Sequence, residues 1–193
     1  SFLIQGSKTA LVDTSHIKFN ANWFKILKSQ IDLKKIDYLI VSHTEPDHSG
    51  LISELLNHNP KIEIFASKVA IQFLKNQVHK TFKSTIVKTG SQLDLGINSA
   101  SGVQHHFEFL SAPNLHWPDT IFSFDHGTNI LFTCDAFGLH YCSDELFDEK
   151  PELIEPDFRF YYDCLMGINA RSVLQALKRI ASLPPINTIA VGH

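Results

Sequence analysis

The chain has 193 residues, 44% of them apolar with 15 Phe, and 17 basic against 20 acidic side chains for a net charge of −3. Such a length and apolar content suit one globular domain with a sizeable core. The near-balanced charge includes no basic run that would serve nucleic acid or anionic lipid, and no apolar stretch approaches the roughly 18 residues needed to span a bilayer.

Residues 2–5 and 9–13 read as the two strands of a hairpin around Gly6-Ser7. Residues 22–29 predict a helix with Trp23, Ile26 and Leu27 at helical spacing. Residues 37–41 are an apolar strand and 50–57 a helix. A strand over 62–65 and a helix over 69–78 follow, then short strands over 85–88 and 107–110. Strands over 120–124 and 129–133 flank Asp125-His126-Gly127-Thr128, a hairpin turn signal. The strongest helical pattern covers 171–181, with Val173, Leu174, Leu177, Ile180 and Ala181 on one face, and Pro184-Pro185 ends it. A last strand covers 188–191. Hairpins mixed with strand–helix alternation predict an α/β sandwich whose helices cover sheets, rather than a purely parallel sheet. No repeat, low-complexity tract, linker or glycine-rich phosphate loop interrupts the pattern.

Cys134, Cys142 and Cys164 form an odd set without a CxxC pair. That argues against a disulfide framework, favours a reducing compartment, and reads as three buried small hydrophobes. The only methionine is Met166, and the chain stops at His193 directly after an apolar run. The expectation is a fragment lacking part of the N-terminal and C-terminal ends of its protein.

Chemistry concentrates at strand ends. His43-Thr44-Glu45-Pro46-Asp47-His48 sets two imidazoles and two carboxylates on one strand-to-helix turn, a rigidly held loop of the kind on which metal chemistry is built. His116, Asp135 and His193 also follow apolar strands. If these ends share one edge of the sandwich, four His and three carboxylates converge. That count suits two metals with three terminal ligands each and one shared carboxylate, and Asp135, alone on its strand, is the best bridge. Taken singly, each has an ordinary reading. A lone His after a strand is usually a hydrogen-bonded surface residue, Asp135 is compatible with a helix cap, and Asp119 with a turn or a partner orienting His116. His58, His79, His105, His106 and His126 sit in polar or turn contexts and read as structural or solvated. His16 and His140 are placed near the edge of the site.

The combination of HxExDH, a lone His, an Asp nineteen positions on and a His nearly sixty further resembles the flavodiiron proteins, which are built on the metallo-β-lactamase fold. The matching pieces are residues 43–48, 115–119, 134–138 and 191–193, so the match runs across nearly the whole chain. His140-Tyr141-Cys142 and residues 158–166 look like the subgroup found in oxygenic phototrophs. The resemblance implies one metallo-β-lactamase-like αββα domain over 1–193. In it His43, Glu45 and His116 would bind one iron, Asp47, His48 and His193 the other, and Asp135 would bridge. It also implies a flavodoxin-like FMN domain beyond residue 193, NAD(P)H or a reduced redox protein as ultimate donor, and reduction of O2 to water or of NO to nitrous oxide. A head-to-tail dimer in the cytoplasm, or in a plastid stroma, belongs to the same expectation. His140, Tyr161 and Tyr162 would be pocket residues able to donate protons.

The ligand types support iron independently. Dizinc hydrolases of this fold read HxHxDH. Glu45 in place of the second His adds a hard anionic oxygen, which shifts preference from zinc toward iron or manganese. Two other readings compete. A metal-dependent hydrolase of the same fold would show zinc and esterase activity. A diiron O2 sensor would lack a flavodoxin-like domain in the reading frame beyond residue 193.

Overall fold

The computed structural model describes residues 1–193 except residues 142, 146 and 149 and the side chain of residue 151. One sheet comes from the first half of the chain. Its strands β1 (Phe2–Gln5), β2 (Thr9–Val12), β3 (Tyr38–Ile40), β4 (Glu63–Ala66) and β5 (Lys83–Ile86) lie side by side in that order. β1 and β2 form the antiparallel hairpin, and β2 to β5 run parallel. Parallel neighbours need crossovers, which α1 (Asn20–Gln30), the single turn α2 (Pro46–Ser49), α3 (Ile52–His58) and α4 (Lys68–Val78) supply. The second sheet has β6 (Gln92–Ile97), β7 (Gln104–Ser111), β8 (Ile121–Asp125), β9 (Ile130–Cys134) and β10 (Thr188–Val191), in the order β10-β9-β8-β7-β6. β6 to β9 are an antiparallel meander, and β10 returns parallel to β9 after α5 (Pro151–Leu165) and α6 (Ala170–Ile180).

Alternation along the strands divides the core into three layers. Leu11, Leu39 and Ile64 face the first helical layer, where Phe24, Leu27, Leu55 and Leu74 wait. Ala10, Val12, Ile40 and Phe65 face the other sheet and meet Phe107, Phe109 and Phe132. Leu110, Phe122, Phe124 and Leu131 point outward to Tyr161, Met166 and Ala176 of the α5–α6 hairpin. The layers are therefore helix, sheet, sheet, helix, the αββα order expected from the sequence.

Strand direction decides where polar ends collect. β7 and β9 are each antiparallel to β8, so they run the same way, and β10 is parallel to β9. The C-terminal ends of β7, β9 and β10 thus fall on one edge and lead to His116, Asp135 and His193. β2 and β3 lead to Asp13 and to His43–His48 on the first sheet. Behind the loops the Ile121 N–H donates to the Ser42 carbonyl at 2.8 Å and ties the two sheets together.

Several elements differ from the sequence pattern. The strand predicted at 85–88 is displaced to Lys83–Ile86. The pattern does not predict β6, because Gly96 sits at φ 72 and the pairing with β7 shifts between Asp94 and Gly96, a bulge that breaks the alternation. Nor does it predict the 15-residue α5, which carries Pro156 inside it. α1 buries Phe24 and Leu27 while Ile26 is 56% exposed, and on α6 Leu174 and Leu177 face outward. Cys134 is buried but Cys164 is exposed, which corrects the reading of the cysteines as uniformly buried; Cys142 lies outside the described residues. Among the described residues no helix is long and apolar enough to cross a membrane.

Candidate metal centre

Pro46 divides the ligand loop. A residue before proline is pushed to extended backbone, and Glu45 adopts φ −59, ψ 142. Pro46 then opens α2 at a position where its missing N–H costs nothing. The Glu45 carbonyl accepts from the His48 and Ser49 N–H groups at 3.0 and 2.9 Å. His43 and Glu45, before the proline, therefore point one way. Asp47 and His48, on the turn after it, point another.

The other ligand-type side chains meet this loop in two groups. His116 Nε2 lies 2.9 Å from Glu45 Oε2 and 3.0 Å from Asp135 Oδ2. His43 Nε2 lies 3.3 Å from each of the same two oxygens. On the other side, His48 Nε2 is 2.9 Å from Asp135 Oδ1 and 3.5 Å from Asp47 Oδ2. His193 Nε2 is 3.1 Å from Asp47 Oδ2 and 3.5 Å from Asp135 Oδ1. The two oxygens of Asp135 thus belong to different groups: Oδ2 to His43, Glu45 and His116, and Oδ1 to Asp47, His48 and His193. All seven residues expected from the sequence come together at one edge.

These atoms crowd without pairing well. Asp47 Oδ1, His48 Nε2 and Asp135 Oδ1 are buried and have no hydrogen-bond partner among the described residues, although His48 Nε2 and Asp135 Oδ1 are 2.9 Å apart. Buried polar groups are nearly always satisfied. Donor atoms that converge on a shared point, rather than on each other, have the arrangement a cation requires, and each group offers three or four ligand atoms within 4.8 Å of one another. With three carboxylates and four imidazoles, the donor set fits two hard or borderline cations.

The local field follows from the same contacts. Burial works against the Asp135 carboxylate, but the His116 hydrogen bond and the neighbouring imidazoles hold its pKa well below the carboxylate range. Burial also works against a charged His48, yet Asp135, Asp13 and Asp47 outweigh it and push the imidazole up to about 9. His116 is raised by its hydrogen bond to Asp135. Glu45 is lowered, first by its hydrogen bond with His43. Protons and metal therefore compete for the same nitrogens.

Four supporting residues carry no metal-ligand signal in the sequence. Asp13, at the end of β2, accepts the Ser42 N–H through Oδ1 at 2.7 Å. Cys134 places Sγ between the Nδ1 atoms of His43 and His48, and burial followed by the charges of Asp13 and Asp135 raises its pKa, so it stays a thiol. Asp119 does not orient His116. Its Oδ2 accepts the Thr44 N–H at 2.9 Å and the Thr44 hydroxyl at 2.7 Å and so fixes the ligand loop. Gly192 passes so close to the centre that a Cβ there would lie 2.8 Å from His48 Cε1 and 3.0 Å from Asp135 Oδ1.

At the rim, His140 packs its ring 5.0 Å from Tyr161 and 5.8 Å from His193. Burial, followed by the Asp135 charge, raises the Tyr161 phenol far above its usual range. Tyr162 shares the apolar layer with Tyr161 and sits at its partly buried margin. It helps to line a cavity of about 370 Å³ bounded by Leu115, Phe137, Tyr161, Met166 and Val173. His16 caps the turn at 17–19 by accepting the Lys18 N–H. His105 pairs with Asp125 and His126 with Glu108, away from the centre.

A family model described as "ODP family beta lactamase" matches residues 1–193. The putative diflavin flavoprotein A 2 of Synechocystis sp. is 60% identical over 193 residues, 100% of this chain and 32% of that protein. The metal-soaked Flv1 flavodiiron core from Synechocystis sp. PCC6803 superposes with a TM-score of 0.90 at 31% identity, over 98% of this chain and 46% of that one. The rubredoxin oxygen:oxidoreductase from Desulfovibrio gigas superposes with a TM-score of 0.88 at 28% identity, over 98% of this chain and 47% of that one. This chain spans about a third to a half of the length of the curated relatives it matches.

Proposed function

The chain belongs to the flavodiiron family through its ODP beta-lactamase domain, and on that premise we propose that it is the diiron part of an oxidoreductase that reduces O2 to water or NO to nitrous oxide. His43, Glu45 and His116 would hold one iron, Asp47, His48 and His193 the other, and Asp135 would serve both. The observation that carries this assignment is the division of the Asp135 oxygens, one to each group of side chains. Iron bound by these residues would supply the redox chemistry, two electrons from the pair of ions. Full reduction of O2 needs four electrons, so a flavodoxin-like domain beyond residue 193 would bring FMN, fed from NAD(P)H or a reduced redox protein, and a head-to-tail dimer would set that domain against this edge.

The chain's own residues do the remaining work. Glu45 and Asp135 keep negative charge where an oxidised metal needs it. His140 stands beside His193 and is the group we assign to proton delivery, with Tyr161, buried and held protonated, packed against its ring. Tyr162, Leu115 and Phe137 form the apolar wall behind them and limit water.

Metal analysis tests the assignment at two residues. Glu45→His recreates the hydrolase ligand set and should move the iron-to-zinc ratio of protein from the same medium toward zinc; an unchanged ratio would remove Glu45 from the ligands. Gly192→Ala should push the His48 ring aside and lower metal content by about one ion per chain, with the His43, Glu45 and His116 half retained. Loss from that half instead would show that the two groups are wired differently.

A further inference from the structure

We propose that Cys134 is a positioning residue shared by both halves of the centre, its one sulfur fixing one histidine of each. The inference rests on the two-metal reading above and goes beyond it. Sγ lies 3.1 Å from His43 Nδ1, in the first group, and 3.4 Å from His48 Nδ1, in the second. The same sulfur lies 3.5 Å from Asp13 Oδ2, to which it donates.

The donor count closes. Each of the two histidines turns Nε2 toward Asp135, at 3.3 Å for His43 and 2.9 Å for His48. A histidine that presents Nε2 as a ligand must keep its hydrogen on Nδ1, and that N–H needs an acceptor. A thiol has two lone pairs and one hydrogen. Here both lone pairs receive an imidazole N–H and the hydrogen goes to the Asp13 carboxylate, whose other oxygen holds the Ser42 N–H at the head of the ligand loop. No other side-chain acceptor stands at either Nδ1 among the described residues.

The backbone points the same way. Cys134 has φ 54, in the left-handed region, where glycine is the default and any Cβ is disfavoured. A side chain kept at such a position, 3% exposed and aimed between two ligand rings, is held there by its contacts rather than by backbone preference.

Anaerobic cobalt(II) titration, followed by visible absorption, separates this role from simple packing. Wild type should take up about two ions per chain. Cys134→Ala should weaken both ions by about 10–100-fold, the range usual for the partner behind a ligating histidine, and should change the absorption of both. The metal-free variant should still unfold in a single cooperative melt, because alanine keeps the Cβ at the same left-handed backbone and removes only the sulfur. Cys134→Ser keeps one donor and two lone pairs and should restore most of the affinity. A Cys134→Ala protein with unchanged affinity and spectrum, or with only one ion affected, overturns the inference while leaving two metals in place. Wild type that binds fewer than two ions overturns the two-metal reading itself, and this inference with it.

Discussion

Replacing Asp135 with alanine should empty both halves of the centre at once, taking iron from about two per chain to a small fraction of one. The expectation follows from connectivity. Each other ligand serves one group, so His43→Ala or His193→Ala should cost about one ion. Asp135 alone is within 3.5 Å of four histidines, two through each oxygen. Without it each group keeps three neutral or singly charged donors and loses the anion nearest its centre. Asp135→Asn should fall between, since it keeps the shape and one good donor oxygen but not the charge. Metal analysis of iron-grown preparations, with circular dichroism to confirm folding, reads the result. An Asp135→Ala protein that still holds one iron tightly would show that the carboxylate is not shared.

A second large effect concerns turnover. Residues 1–193, loaded with iron and chemically reduced, should consume O2 once and then stop, even with NAD(P)H and free FMN present. Refilling the site needs a flavin held close and in a fixed orientation, and free FMN lacks the effective concentration a docked domain provides, commonly in the millimolar range. A longer form of the protein that includes the region beyond residue 193 should restore continuous consumption, measured with an oxygen electrode. Sustained NAD(P)H oxidation by the short form would show that the electrons take another path. Reversible O2 binding without a burst would favour a sensor.

The seven ligand-type residues were legible because each follows an apolar strand, and strand ends of a two-sheet sandwich gather at an edge. Their division into two groups of three around Asp135 came from the family resemblance, and the structure adds the physical cause, Pro46. The supports were not legible. Asp13 ends a hairpin strand like many surface aspartates, and Cys134 reads as a small hydrophobe, because neither signals that it faces the ligand loop, Asp13 at the Ser42 N–H and Cys134 at the His43 ring. Gly192 shows its purpose only when the neighbouring ring is in view. Among the elements, β6 hides behind the Gly96 bulge. α5 hides behind Pro156, which lies past the first turn and removes one helical hydrogen bond, a loss offset by the packing of the helix on the second sheet. The outward-facing Leu174 and Leu177 share a helix with Val173 and Ile180, and periodicity alone does not say which side of a wide apolar stripe meets the sheet.

The centre also keeps time for the folding chain. Its contacts join residues far apart in sequence: Asp13 with Cys134 across 121 positions and Asp47 with His193 across 146. Contacts of that span form late, after the intervening loop has been closed. The Asp47, His48 and His193 group does not exist until β10 has docked on β9, so a chain that has not seated its last strand has no second place for an ion. On the proposed assignment, capture of that ion would report a finished topology. Once captured, it favours the state that binds it and locks down β10, an edge strand that opens more readily than the strands inside the sheet.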